Sequence, residues 1–365
     1  MNQPISPVPY SVIIGSGSYI PTRRIKNEDF LDRVFFDAEG KQLTKANEEI
    51  IRKFSDITGI LERRYVTDDL VASDIAFLAA KEALESSNVD GESLDHIIVA
   101  HNFGDIRPDN RRSEFVPTLA SRVKHHLGIK NCNSIGYDLP FGCAGWLQGL
   151  IQADFYIRSG AARRVLVIGA ETLSRISDPH DRDSMIYADG AGAVILEARE
   201  SKVPVGILSH AVRTYANEHA YVLKMGPSNN PAYSENNLFL KMQGRMLYEH
   251  ALKVVPHVVK ESIEKAGLTI QNINKVLIHQ ANTKMVDSIL KRLFEEYGLK
   301  ESPGDIMPLT ISWLGNTSVA TLPTLYDLLI KGKIDNQQIN KGSTIVFASV
   351  GAGVNINSVV YRVPE

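Results

Sequence analysis

The sequence predicts an α/β protein of two similar halves, and three observations carry that expectation. Short apolar runs alternate with longer stretches at helical spacing, the pattern of a mostly parallel sheet with helices on both faces. The same order of elements recurs after the middle with little sequence identity, so a pseudo-duplication boundary is expected near 199–203, giving halves 1–200 and 201–365. The 365 residues are 44% hydrophobic and 22% charged, enough apolar material for a core that needs no disulfide or metal.

In the first half, residues 11–15 (SVIIG) read as a buried strand. Residues 73–87 (SDIAFLAAKEALESS) read as a helix, with Ser73 as N-cap and apolar residues recurring at three and four positions. Residues 95–101 (DHIIVAH) are a strand, 117–127 a helix, 134–138 a short strand, and 144–159 a helix apolar over much of its surface. Residues 164–169 (RVLVIG) and 191–197 (AGAVILE) complete the half as strands. In the second half, 203–213 is strand-like, and 242–266 is a long helix interrupted or kinked near Pro256. Then come a strand at 275–279, a helix at 283–297, a helix at 318–331, and strands at 344–349 and 355–362. Two polar stretches, 37–49 and 103–114 (FGDIRPDNRRSE, with Arg107, Arg111 and Arg112), read as insertions, either lids or surface decoration.

Composition excludes several classes. Forty Lys and Arg against forty-two Asp and Glu give a net charge of −2, so no global field favours nucleic acid. No apolar run approaches the roughly 18–20 residues that span a bilayer. Residues 1–10 carry three Pro and no basic stretch ahead of an apolar one, so no signal peptide is expected and the cytoplasm is the default. Two cysteines make neither a disulfide framework nor a cysteine zinc site. His125 and His126 are the sole adjacent histidines and would point apart on a helix, so no metal is expected.

Four features carry possible chemistry. Cys143 falls where a strand ends and a helix begins, between Gly142 and the small pair Ala144 and Gly145. A helix N-terminus offers partial positive charge and free N–H groups, which lower a thiol pKa and favour the nucleophilic thiolate. The alternative is a buried packing cysteine, the reading given to Cys132 in its Asn-Cys-Asn loop. His279 lies at the C-terminal end of a strand, where open α/β sheets place their crevices, though a lone His there is more often structural. Gly315-Asn316-Thr317-Ser318 sits at a loop-to-helix junction and reads equally as a capping turn. Gly351-Ala352-Gly353 is a tight turn or a loop presenting N–H groups to a ligand. Gly15-Ser16-Gly17 lacks the third glycine and the helix of a nucleotide-binding loop.

Together these features are specific. Cys143, His279 at +136, Asn316 at +37 from it and a terminal glycine loop, on a duplicated chain, resemble the thiolase superfamily, and within it β-ketoacyl-acyl-carrier-protein synthase III. Supporting segments are Thr58-Gly-Ile60, Glu62-Arg63-Arg64, Asp178-Pro179, Asp189-Gly-Ala-Gly-Ala193, Lys241-Met-Gln-Gly244-Arg245 and His279-Gln-Ala-Asn282. The resemblance implies a thiolase-like fold in α-β-α-β-α layers and a two-stage Claisen condensation. Cys143 takes an acyl group from a thioester; a malonyl-type thioester loses CO2, and its enolate attacks that acyl carbon. It implies an oxyanion hole from the N–H groups of Cys143 and Ala352, hydrogen bonds from neutral His279 and Asn316 to the enolate oxygen, and Asn282 ordering His279. Gly351 and Gly353 would flank the site. Phe115 would close a partner's acyl tunnel in a homodimer. No cofactor is implied beyond acyl-coenzyme A or acyl-carrier-protein thioesters.

The chain also departs from the family. Lys53 and Ile57 stand where coenzyme-A-primed members carry Trp and Arg, although Arg182 remains at another matching position. A carrier-protein donor is therefore favoured, with Lys284, Lys291 and Arg292 as the basic docking patch and Glu249 where a docking Lys often sits. The altered residues and the insertions point to specialised metabolism, with dialkylresorcinol- and cyclohexanedione-forming enzymes as the expected subgroup. The alternatives are an acyltransferase making an ester or amide on the same fold, and a housekeeping fatty-acid initiation synthase.

Overall fold

The computed structural model describes residues 9–365; the reading of the first eight residues lies outside that range. The first-half strands are β1 (Tyr10–Tyr19), β2 (Arg23–Lys26), β3 (Glu62–Tyr65), β4 (His96–His101), β5 (Ile135–Pro140), β6 (Arg164–Thr172) and β7 (Asp189–Arg199). Its helices are α1 (Asn47–Thr58), α2 (Ala72–Ser87), α3 (Leu119–His126) and α4 (Gly145–Arg158). The second-half strands are β8 (Gly206–Thr214), β9 (Leu223–Gly226), β10 (Phe239–Met242), β11 (Lys275–Ile278), β12 (Thr344–Gly351) and β13 (Asn355–Arg362). Its helices are α5 (Ala216–His219), α6 (Gly244–Lys265), α7 (Thr283–Glu295), α8 (Ile311–Leu314) and α9 (Thr321–Ile330).

Two main sheets form, in the orders β1-β7-β6-β4-β5 and β11-β12-β13-β8. Both are mixed, which corrects the expectation of mostly parallel strands. β4 runs parallel to β5 and β6, but β7 is antiparallel to β6 and β1. β11 is parallel to β12, while β12, β13 and β8 alternate in direction. In the second sheet, connection length explains the β12–β13 reversal. A parallel return needs a crossover of a dozen or more residues, usually helical, and only a three-residue turn joins β12 to β13.

The elements stack as α-β-α-β-α. α2 and α3 cover the outer face of the first sheet, with a core of residues such as Ile75, Ile97 and Ile168. α6 and α7 cover the outer face of the second, around Val255, Ile289 and Val346. Between the sheets lie α4 and α9, where Trp146, Leu150, Leu325 and Phe347 belong to one core fed by both halves. This accounts for the apolar surface of α4, since both central helices are buried over most of their turns and reach solvent only near their ends, at Phe155 and Ile330. The buried Asp327 of α9 is fully paired: it accepts from Ser16 Oγ and Ser18 Oγ at 2.7 Å each and meets Lys331 at 2.6 Å. No helix among the described residues is long and apolar enough to cross a membrane.

Local expectations change at three places. Ser73 is not an N-cap. α2 starts one residue earlier, with the Val71 N–H donating to Asp74 at 2.9 Å. Ser73 instead donates its hydroxyl and N–H to Asp105 (2.6 and 2.7 Å), which also pairs with Arg122 and so pins the 103–114 insertion to α2 and α3. Cys132 is exposed in its turn and packs no core. α6 runs unbroken through Pro256. Proline removes the N–H that would bond the Leu252 carbonyl four residues earlier. The Arg292 guanidinium of α7 supplies the missing donor at 2.9 Å.

That substitution of donors is testable. Arg292→Ala is expected to destabilise the fold by about 1–3 kcal/mol, the cost of an orphaned acceptor, measured by urea unfolding. In a Pro256→Ala background, where residue 256 regains its N–H, the same change should cost clearly less.

Candidate active site

Four chain turns converge between the sheets. After β5 the chain makes a tight 3-10 turn over Gly142–Ala144 and enters α4, so Cys143 sits at the start of a buried helix. A second 3-10 turn, Ser318–Ala320, leads into α9 and carries Asn316 just before it. His279 follows β11, and the Gly351–Gly353 turn follows β12. Close packing holds the four together. A Cβ on Gly351 would lie 2.6 Å from the Cys143 nitrogen, and one on Gly315 2.7 Å from the Arg63 Cβ. Only glycine allows these approaches, and Gly315 also needs its φ of 72°.

Together Cys143, His279, Asn316, Ser318 and the Gly351–Gly353 turn line a cavity of about 390 Å³. Its remaining wall is largely apolar, with Leu223 and Met225 from β9, Leu240 and Met242 from β10, Leu247 from α6 and Met285 from α7. Thioether and isobutyl groups adapt to an alkyl chain.

Each polar group has a defined setting. The Cys143 carbonyl accepts from Ser349 Oγ at 3.0 Å, and its Sγ accepts from Ser318 Oγ at 3.2 Å. Burial pushes the thiol up to about 11; the Ser318 hydroxyl works against that and the nearby Glu171 carboxyl adds to it. The sequence reading expected a lowered thiol. Desolvation outweighs the helix start here, so the sulfur is stored as a thiol. His279 is buried, its Nδ1 has no hydrogen-bond partner among the described residues, and burial lowers its pKa to about 4. It is therefore neutral at physiological pH. Asn316 is fixed through its N–H to Ile186 O and its carbonyl from the Ala188 N–H, both 2.9 Å, and its Oδ1 accepts from the Ser318 N–H at 2.9 Å. With Oδ1 engaged, its NH2 end is left for the cavity.

The other expected residues divide. Ala352, Gly351 and Gly353 line the cavity. Asn282 does not order His279: its side chain caps α7 by accepting from the Met285 N–H at 3.2 Å. Asn is a favoured cap, and that role uses its oxygen. Phe115 lies outside the chain's own cavity, 47% exposed, with its ring 5.9 Å from that of His101. Arg182 is half exposed and 3.5 Å from Asp183, away from the cavity wall. Lys284 is exposed, Lys291 is exposed and 3.9 Å from Glu295, and Arg292 is exposed too, with one guanidinium N–H given to the Leu252 carbonyl.

Several residues were not singled out from sequence. Asn102, after β4, lines the cavity; the strand-end rule that marked His279 marks it equally. Its side chain donates to Glu171 and to Ser318. Glu171, an acid inside the apolar strand β6, is buried and pushed up to about 8, by desolvation first. Lys224 of β9 also lines the cavity as an exposed cation.

Known proteins share this architecture. The model of 3-oxoacyl-[acyl-carrier-protein (ACP)] synthase III matches residues 137–216, and the model of its C-terminal part matches 263–363. The chain is 30% identical to the β-ketoacyl-[acyl-carrier-protein] synthase III of Thermus thermophilus, covering 96% of this chain and 98% of that one, with a TM-score of 0.75. It is 29% identical to 3-oxoacyl-[acyl-carrier-protein] synthase III of Aquifex aeolicus VF5 (96% and 99% covered, TM-score 0.74). It is 26% identical to the priming β-ketosynthase of the R1128 polyketide pathway (100% and 99% covered, TM-score 0.80).

The lowered His279 has a measurable consequence. Its folded pKa lies near 4 and its unfolded value near 6.5. The stability it confers is thus fully present above pH 6.5 and is lost as pH falls toward 4. Wild-type protein should lose about 2 kcal/mol more stability between pH 7.5 and pH 5 than His279→Gln, read by urea unfolding at both values.

Proposed function

The chain belongs to the 3-oxoacyl-[acyl-carrier-protein] synthase III family and is a condensing enzyme of that type; we propose that it joins two acyl thioesters on Cys143 by a decarboxylative Claisen reaction. One observation carries the reading: a thiol shares a desolvated cavity with two uncharged hydrogen-bonding side chains, His279 and Asn316. In the first step the Cys143 sulfur attacks the acyl carbonyl, its proton leaves with the carrier thiol, and the N–H groups of Cys143 and Ala352 hold the developing oxyanion. In the second, a malonyl-type thioester loses CO2. His279 and Asn316 donate to the enolate oxygen, and neutral donors stabilise that charge without delivering a proton to carbon. The enolate then attacks the acyl carbon and frees the Cys143 thiolate. An enzyme that only moves acyl groups to alcohols or amines makes no enolate and has no use for the second pair.

The finer reading is a carrier-protein-dependent enzyme of specialised metabolism, of the dialkylresorcinol- or cyclohexanedione-forming kind. Lys53 and Ile57, in place of the Trp and Arg of coenzyme-A-primed members, lie exposed on α1 and support it. The apolar cavity wall suits a long acyl chain. Exposed Phe115 and Val116 suit a homodimer in which each subunit reaches its partner. On this reading the enzyme works in the cytoplasm on thioesters alone, without cofactor or metal.

The two half-reactions separate by mutation. Incubated with acyl-carrier protein or acyl-coenzyme A, wild type should show an acyl adduct by intact mass and Cys143→Ala none. His279→Ala and Asn316→Ala should keep the adduct but release CO2 from malonyl-carrier protein about 10²–10³-fold more slowly. An adduct on Cys143→Ala, or steady acyl transfer to an alcohol or amine with no CO2 from any malonyl donor, overturns the reading. A panel of malonyl and β-ketoacyl extenders, read by product mass, tests the subgroup.

A further inference from the structure

Ser318 is buried and has φ 51°; the other non-glycine residues with positive φ among those described are both asparagines, Asn88 and Asn336. Asparagine tolerates that region, whereas serine is held in it only where its surroundings over-determine the conformation. The surroundings here are the reacting groups. The Ser318 N–H donates to Asn316 Oδ1 (2.9 Å) and its hydroxyl to Cys143 Sγ (3.2 Å). Behind it, Asn102 Nδ2 donates to Ser318 Oγ at 3.0 Å and to Glu171 Oε1 at 2.7 Å, and the Asn102 N–H also reaches Glu171 Oε1. Two donors on one Glu171 oxygen fix which end of the Asn102 amide faces forward. An N–H aimed at the serine oxygen leaves the hydroxyl proton for sulfur. The titratable groups around the thiol are Glu171, Tyr187 and His279, with exposed Lys224 on the same cavity wall. Two are acids, His279 is neutral, and among charged groups only Glu171 influences the thiol, so no cation is paired with a thiolate there.

We propose that Ser318 is the positioning residue that serves both half-reactions, with Asn102, anchored on buried Glu171, aiming its hydroxyl. The hydroxyl provides the fixed donor that favours the Cys143 thiolate, and the N–H turns the Asn316 amide toward the cavity. One left-handed residue thus sets the spacing between the nucleophile and the second-step donor. The second role rests on the condensing reading; the first does not.

Cys143 alkylation by iodoacetamide, followed against pH, tests the first role without substrate. A Cys132→Ser background removes the exposed thiol. Ser318→Gly is the informative variant, because glycine keeps the backbone conformation and the N–H while deleting the hydroxyl. Its alkylation profile should shift to higher pH, with the rate at pH 7.5 down about tenfold. Once acylated, it should lose clearly less in CO2 release from malonyl-carrier protein than it loses in alkylation, because the N–H that holds the Asn316 amide remains. Asn102→Ala should shift the alkylation profile the same way by less. Ser318→Ala, which also bears backbone strain, should lower the melting temperature where Ser318→Gly does not. A Ser318→Gly profile that overlays wild type overturns the proposal. Equal loss of both half-reactions in Ser318→Gly does so too, since it would mean the residue only shapes its loop. If no substrate yields an adduct or CO2, the condensing reading fails while the alkylation result still decides the role toward sulfur.

Discussion

Everything at the cavity follows from two helices, α4 and α9, that are buried along most of their length between the sheets. Sandwiched between sheets, they must bury their sides in apolar contact and start where the sheets' strands end. A helix start leaves N–H groups unbonded, and between two sheets no bulk water completes them. Both starts are tightened into 3-10 turns that bring Cys143 and Ser318 within one hydrogen bond of each other. Their distance in the chain is immaterial, because the core clamps the two helices side by side. The strand ends that carry His279 and Gly351 are fixed by the same sandwich, so an error in central packing reaches all of them.

The same burial sets the electrostatics. Desolvation is the largest influence on the Cys143 thiol, the Glu171 carboxyl and the His279 imidazole, and it pushes each toward its uncharged form. At pH 7 the three groups are a thiol, a carboxylic acid and a neutral imidazole. Apart from the exposed Lys224 on the cavity wall, these groups carry no standing charge, only oriented donors such as the Asn316 amide and the Ser318 hydroxyl. Fixed dipoles in a dry cavity act strongly on charge that appears only in passing, as on a thiolate or an enolate, and need no reorganisation when it does.

The strand–helix alternation and the Cys143, His279 and Asn316 turns were legible because each rests on a local signal: hydrophobic period, a strand-to-helix junction, glycine beside a functional side chain; the layering followed from the family resemblance that those turns carry together. What was not legible depends on partners distant in the chain. Strand direction within each sheet turns on whether a connection holds a helix, which short apolar runs do not reveal. Arg292 reads as a surface cation until α6 and α7 pack and the carbonyl beneath Pro256 lacks a donor. Asn282 is close enough to His279 to suggest a bond, yet its oxygen is taken by the first turn of α7. The Glu171–Asn102–Ser318 chain joins three separate segments; each leaves a local trace, a lone acid in an apolar strand, a strand-end Asn and a serine beside Asn316, but only packing shows that they meet.

The proposed carrier-protein donor would meet this nearly neutral protein through local cations. Exposed ones include Lys224 on the cavity wall, Lys284 beside Met285, Arg292, and Lys291 and Arg245, the last two each facing an acid four residues on. Arg245 is 92% exposed and 2.8 Å from Glu249; Lys291 is 3.9 Å from Glu295. Exposed pairs at that spacing contribute less than thermal energy. An arriving carboxylate can therefore take either cation from its intrahelical partner at small cost. On the proposed carrier-dependent reading, Glu249 is thus a weak competitor that a carrier surface would displace, and the sensitivity of such a contact to salt follows from the same exposure.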